Sequence, residues 1–271
     1  MTAESGPKLD LDSECLAREY EELSATRQVE SGKHLLARLG IAPGECVLDV
    51  GCGTGLLAQH LAELVGPAGM VLGLDPLPHR IELAREKTLP NVSFDVGDAN
   101  DLSMLAQSSF DVVVLNAVFH WLPEKTGPLR QFAHVLRSGG RLGISTGLKG
   151  HRPLLQEAMM ATLREPPFDA HSRARESIVF RVDAGDMRAL FEAVGFTPTC
   201  LEVVETEQHF PSTETALRFS DASSFGNVFA HLPAELRWQA RARVLRRLDE
   251  IVGPGGFVQK VKRLIAIGSR R

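Results

Sequence analysis

The sequence predicts an α/β protein: a doubly wound, mostly parallel seven-stranded sheet with N-terminal helices and a helical cap insertion before the last strand. Three observations carry that expectation. Short β-branched apolar runs alternate with helical stretches from residue 46 onward, which is the signature of parallel βαβ units. The first run leads straight into the glycine loop Gly51-Cys52-Gly53-Thr54-Gly55 and a helical stretch. Finally, 271 residues with 44% hydrophobic and 24% charged side chains supply enough material for a sizeable buried core.

Each element follows in order. Residues 1–10 read as a loose arm, and Leu11 to Leu39 as one or two helices ending at Gly40, with Leu35, Leu36 and Leu39 at helical spacing. The predicted strands are Cys46–Val50, Met70–Leu74, Val92–Val96, Phe110–Leu115, Arg141–Ser145, Pro198–Glu205 and Lys262–Ile267. Helices are expected at Leu56–Val65, Arg80–Lys87, Pro128–Leu136, Asp186–Val194 and across Thr213–Val252. The resulting division is an N-terminal helical segment (1–40), a core (41–212) with a lid-like connector at 147–185 that includes the charged stretch Ser172 to Glu176, a cap insertion (213–256) and the last core strand (257–271).

Ligands of such sheets bind outside the carboxyl ends of the strands, which here carry Asp49, Asp75, Asp98 and Asn116. Glycines at 51, 53 and 55 allow backbone to approach a ligand closely, and the helix behind the loop presents unpaired N–H groups. A dinucleotide fingerprint needs a small residue where Leu56 stands, so the loop favours a nucleoside over a pyrophosphate. Asp75, 20 residues beyond Gly55 and followed by Pro76, is placed to accept two ribose hydroxyls, with a helix N-cap as its alternative role. Asp98 then falls where an adenine amine would lie, and the Ala99 N–H can serve a ring nitrogen; an Asx-turn is the alternative for Asp98.

Composition narrows the function classes. Thirty Lys and Arg against thirty-four Asp and Glu give a net charge of −4, which offers no long-range attraction to nucleic acid or anionic lipid. The arginines between 237 and 247 read as the solvated face of an amphipathic cap helix. Cys15, Cys46, Cys52 and Cys200 form no C-x-x-C pair and no zinc spacing, so no metal is expected. Free thiols, an acidic N-terminus and no long apolar run point to the cytoplasm, and oligomeric state is left open.

The phrases Val47-Leu48-Asp49-Val50-Gly51-Cys52-Gly53-Thr54-Gly55, Gly73-Leu74-Asp75, Gly97-Asp98-Ala99, Phe110-Asp111-Val112-Val113-Val114 and Val135-Leu136-Arg137-Ser138-Gly139-Gly140-Arg141-Leu142 resemble the Rossmann-like, class I S-adenosylmethionine-dependent methyltransferases of small-molecule type. The resemblance covers about residues 40–147 and the late helix Leu190 to Phe196. It implies an antiparallel last strand and one bound S-adenosylmethionine. It also implies that the glycine loop packs against the methionine and ribose, that Asp49 orients the loop or meets the ammonium group, that Tyr20 closes over the cofactor and that Arg27 pairs with the methionine carboxylate. Pro76 and Asn116 complete the implied cofactor site.

The acceptor is expected beside Asn116-Ala117-Val118-Phe119-His120-Trp121, which resembles the aromatic acceptor-bordering segment of small-molecule carboxyl and hydroxyl methyltransferases. Phe119, His120 and Trp121 are therefore candidate pocket residues, with core packing the alternative for both aromatics. His120 is the candidate base for a hydroxyl acceptor, while an ionised carboxylate needs none. The stretch Leu64 to Asp75 also looks like that of arsenite and quinone methyltransferases. A nicotinamide oxidoreductase and a non-catalytic S-adenosylmethionine-binding subunit are the other readings.

Overall fold

A computed structural model describes residues 6–87, 89–171, 179–253 and 255–271. Its sheet has seven strands in the order β3-β2-β1-β4-β5-β7-β6. They are β1 Cys46–Val50, β2 Met70–Asp75, β3 Val92–Val96, β4 Phe110–Asn116, β5 Leu136–Gly147, β6 Phe196–Phe210 and β7 Phe257–Arg270. The first five strands pair in parallel, and β7 runs antiparallel between β5 and β6. The chain order reverses between β1 and β4, and the crevice of a doubly wound sheet opens at that point.

Alternation along each strand divides the core between two faces. Val47, Val71, Val112 and Val114 pack with Leu35, Leu36 and Leu39 of α2 (Thr26–Leu39) and with Leu57, Ala58 and Leu61 of α3 (Leu56–Val65). Leu48, Val50, Val113 and Leu115 pack on the other side with Leu129 and Phe132 of α5 (Thr126–Val135) and Met187 and Phe191 of α7 (Ala184–Ala193). Between them in sequence lie α4 (Pro78–Arg85) and α6 (Leu154–Leu163). Ahead of α2, a widened π-turn at Glu21–Ala25 follows α1 (Glu14–Tyr20) and holds Tyr20 against the glycine loop.

A third cluster forms above the carboxyl ends of the strands. It joins Leu155, Met159 and Leu163 of α6 to Ala216 and Leu217 of α8 (Thr213–Ser223), Val244 and Leu248 of α9 (Ala234–Asp249), and Phe210 and Phe257 at the far ends of β6 and β7. The helical insertion before the last strand is thus present, as two helices and not one run. Phe225 and Gly226, both at positive φ, and Pro233 break it. Strands β6 and β7 are longer than their apolar cores suggest, because ladder pairing continues through the polar stretch Thr206 to His209 opposite Val258 to Val261. Ser172 to Glu176, expected within a lid-like connector, lies outside the described residues.

Candidate active site

A cleft of about 730 Å³ opens at the switch point between β1 and β4. One end of it is lined by Tyr20, Gly51, Asp75, Pro76, Asp98, Ala99 and Asn116, all residues expected at the cofactor site. A second cavity of about 20 Å³ adjoins it, bounded by Tyr20, Asp49, Gly51, Thr54 and Asn116. Among them are Asp49, Asp75, Asp98 and Asn116, the strand-end residues expected from the sequence, brought together by parallel register and short loops.

The three loop glycines do different jobs. Gly51 lines the cleft at φ +72°, and a Cβ there would lie 2.2 Å from Val118 Cγ2. At Gly53 a Cβ would meet the Tyr20 ring and hydroxyl at 3.1 Å. Gly55 lines neither cavity: its Cβ would strike Phe94 Cζ at 2.6 Å, so this glycine serves helix–strand packing and not the ligand. The loop N–H groups are also largely engaged. Those of Gly51 and Cys52 donate to the Leu74 carbonyl, and that of Gly53 donates to Asp75 Oδ2 at 2.9 Å.

Asp75 is buried at the end of β2, and its Oδ1 accepts from the Leu77 N–H at 3.0 Å. Burial pushes its carboxyl pKa up, with Arg80 opposing. The helix N-cap is Leu77, with Pro78 opening α4, so Asp75 is not the cap. Each carboxylate oxygen keeps a second lone pair for a ligand. Asp98 is exposed, and its Oδ1 accepts from the backbone N–H and side-chain amide of Asn100.

Asp49 has no such support. It is 1% exposed, its Oδ2 has no hydrogen-bond partner, and the nearby Thr54 Oγ1 is likewise buried and unpartnered. Burial, then the Asp75 charge, pushes the Asp49 pKa up to about 7. A buried carboxylate without a partner, facing a small cavity, fits a cationic group such as the ammonium of S-adenosylmethionine.

Tyr20 is held by a residue that the sequence reading missed. Arg80 in α4 places its guanidinium 3.8 Å from the Tyr20 ring centre and 4.6 Å from that of Phe225, and donates to the Ala222 carbonyl at 2.9 Å. An arginine on an exposed-looking helix gave no signal. Arg27, by contrast, lies 4.4 Å from the centre of the Phe210 ring and lines neither cavity, so the expected pairing with a methionine carboxylate is not formed by this arrangement. The cation–π contact on the cap cluster accounts for its position.

Beyond Asn116 the cleft continues past His120 and Trp121 under the cap. Phe119 is fully buried in the core behind them and does not reach the cleft, which corrects its expected pocket role. Trp121 donates from Nε1 to the Ala117 carbonyl at 3.1 Å and packs on Phe225. His120 Nδ1 lies 3.2 Å from Thr146 Oγ1. Burial, followed by Arg263, Arg181 and Lys125, holds the His120 pKa well below its usual value. The imidazole is therefore neutral near pH 7 and a weak proton acceptor, which argues against the expected role as base.

Residues 41–207 match a family described as "Methyltransferase domain". The chain belongs to the methyltransferase-domain family. Its Rossmann-like members are dependent on S-adenosylmethionine. An arsenite methyltransferase of Halobacterium salinarum is 32% identical over 205 residues, covering 74% of this chain and 48% of that protein. The aklanonic acid methyltransferase DauC of a Streptomyces species is 36% identical over 131 residues, 47% of this chain and 59% of that one. The chain spans about half the length of these curated relatives. Among solved structures, the YcgJ protein of Bacillus subtilis shares the fold with a TM-score of 0.59 at 18% identity, covering 89% of this chain and 98% of its own. No helix among the described residues is long and apolar enough to cross a membrane, and no described group of His, Cys, Asp or Glu is arranged to hold a metal ion.

Proposed function

We propose that this methyltransferase-domain chain transfers a methyl group from S-adenosylmethionine to a carboxyl or hydroxyl oxygen of a small molecule in the cytoplasm. The single observation that carries the reading is the continuity of the cleft. A nucleoside-sized end, bounded by Gly51, Asp75 and Asp98, opens past Asn116 into a second chamber under the cap. When bound, the cofactor supplies an electrophilic methyl group. Asp49 receives its ammonium group, Asp75 its ribose hydroxyls and Ala99 its adenine, while Tyr20 covers it with support from Arg80. The chain then has to hold the acceptor about 3–3.5 Å from that methyl, in line with the leaving sulfur. Residues 213–256 act as the cap that encloses the acceptor.

The similarity to an arsenite methyltransferase raises a second acceptor class. Arsenite calls for soft thiolate ligands, yet no cysteine lines the large cleft, and Cys15, Cys46, Cys52 and Cys200 stand on separate elements. An oxygen acceptor is favoured on that ground. Calorimetry with S-adenosylmethionine against NAD tests the cofactor assignment. Release of S-adenosylhomocysteine on a metabolite extract tests turnover, and binding without turnover would leave only a cofactor-binding subunit.

A further inference from the structure

The chamber under the cap is built from two opposed chemistries. One wall is apolar, formed by Leu155, Met159 and Leu163 of α6, Phe219 of α8 and Val228. The other is cationic, with Arg263 of β7 and Arg181 ahead of α7 set inward, and Arg152 and Arg164 exposed at the rim. The only carboxylates among the described lining residues are Asp75 and Asp98, both at the cofactor end.

The two inner guanidinium groups lack a counter-ion among the described residues. Arg263 donates from Nε to Ser145 Oγ at 2.9 Å, and from Nη2 to the Ser145 carbonyl at 3.1 Å and Asn116 Oδ1 at 3.4 Å, all neutral acceptors. Burial alone pushes its pKa down to about 10. Arg181 donates from Nη2 to Gln156 Oε1 at 2.7 Å, and burial and the Arg152 charge both lower its pKa. Gly147 brings the pair together. It is the register partner of Arg263 across the β5–β7 ladder, and a Cβ at Gly147 would lie 2.8 Å from Arg181 Nε. Glycine at this position lets Arg181 lie directly over the strand that carries its neighbour.

Desolvated cations are ordinarily paired. Two that share one wall of an open chamber, facing an apolar wall, form a site for an anion joined to an apolar body. Arg263 also reaches Asn116, which lines both cavities, so the anion site begins where the cofactor end stops.

We infer that the acceptor is an amphipathic carboxylic acid whose carboxylate is held by Arg263 and Arg181 with its apolar part along α6 and α8, and that the product is its methyl ester. The inference rests on the methyltransferase reading above. In the transfer, a carboxylate oxygen forms a bond to the methyl carbon as the bond from that carbon to the sulfonium sulfur breaks, and the electron pair stays on sulfur. The negative charge on the acceptor and the positive charge on sulfur disappear together, and no proton moves. No base is needed, in keeping with a neutral His120 hydrogen-bonded to Thr146. The ester cannot remain ion-paired, so both guanidinium groups lose their counter-ion and product release is favoured.

The test uses the full chain saturated with S-adenosylhomocysteine and titrated by calorimetry with octanoate, decanoate and 4-phenylbutyrate, each against its primary amide. The expected result is binding of the acids about tenfold or more tighter than the amides. R181Q and R263Q should each abolish that preference while S-adenosylhomocysteine affinity stays within about twofold of wild type. R181Q lies outside the sheet and keeps the test decisive if R263Q does not fold. Equal affinity for acids and amides, or a preference that survives R181Q and every folded R263Q sample, overturns the inference. Loss of S-adenosylhomocysteine affinity in R263Q also overturns it, by assigning that guanidinium to the carboxylate of the cofactor. Failure of wild type to bind S-adenosylhomocysteine at all defeats the methyltransferase reading, and this inference with it.

Discussion

Replacing Asp49 with Asn isolates the electrostatic cost of the cofactor end. In the free protein the Asp49 carboxyl is buried without a partner at Oδ2, and its pKa stands at about 7 against an ordinary value of 3.8. Below pH 4 both folded and unfolded chains hold the proton, and the group costs nothing. Between pH 4 and 7 the unfolded chain releases a proton that the folded chain retains, so stability falls as pH rises, and it levels off above 7. At 1.36 kcal/mol per pKa unit, the shift from 3.8 to about 7 amounts to about 4 kcal/mol. Asp49→Asn keeps the shape and removes the titration. The stability of the variant minus that of wild type should grow from near zero at pH 4 to about 4 kcal/mol at pH 7.5.

Urea denaturation at closely spaced pH values measures this difference. Working with the difference matters because other groups titrate in the same window. Asp75, also raised by burial, adds to the fall in stability, whereas His120, held neutral, gains stability as pH rises through its unfolded value. The His120 contribution is common to wild type and variant and cancels, whereas Asp75 is coupled to the Asp49 charge, so the difference reports the Asp49–Asp75 pair. Under the proposed placement of the ammonium group at Asp49, cofactor binding is proton-linked: near pH 6 the free carboxyl holds its proton, and the bound ammonium group would expel it. Calorimetric heats of S-adenosylmethionine binding should then depend on the ionisation enthalpy of the buffer in wild type and not in Asp49→Asn. A stability difference that does not change with pH would refute the reasoning.

Three further outcomes are expected. Asp75→Ala should weaken S-adenosylmethionine binding by about 1–3 kcal/mol in calorimetry, because two ribose hydroxyls lose their acceptor; unchanged affinity in a folded variant removes the ribose assignment. Gly55→Ala should lower stability by about 2–4 kcal/mol in chemical denaturation, combining left-handed strain with the collision with Phe94, while the folded fraction binds cofactor normally. His120→Ala should raise KM for the acceptor, lower kcat by less than about tenfold and leave the shape of the pH profile intact; a loss of about 10²–10⁴-fold in kcat would restore the histidine as a base.

Strand positions were readable where burial and pairing coincide. Cys46–Val50, buried from Val47 to Val50, agrees with the structure residue for residue, and so does Val92–Val96, where Val92, Phe94 and Val96 alternate with polar residues and Phe94 is buried. The β6–β7 ladder extends past its apolar residues because backbone hydrogen bonds do not depend on side-chain polarity, and periodicity reports burial alone. The break between α8 and α9 left a clear trace in Gly226 and Pro233, which the continuous helical reading of Thr213 to Val252 passed over.

The residues of the proposed cofactor end were legible because most of them sit at strand ends in phrases of fixed spacing, and the structure brings them to one cleft. The acceptor end was not, because its side chains come from distant parts of the chain: Arg181 from a loop, Arg263 from the last strand and Leu155 and Met159 from α6. One signal for it was nonetheless present. Arg263 immediately precedes the apolar run Leu264 to Ile267, in a strand flanked on both sides by other strands. A cation that far into a sheet carries a desolvation cost that packing cannot offset, so it calls for an anion. Neutral partners at Ser145 and Asn116 orient the guanidinium without balancing its charge. That charge, without a counter-ion among the described residues, supports placing the proposed acceptor at this end of the cleft, as the unpartnered Oδ2 of Asp49 supports placing the ammonium group of the cofactor at the other.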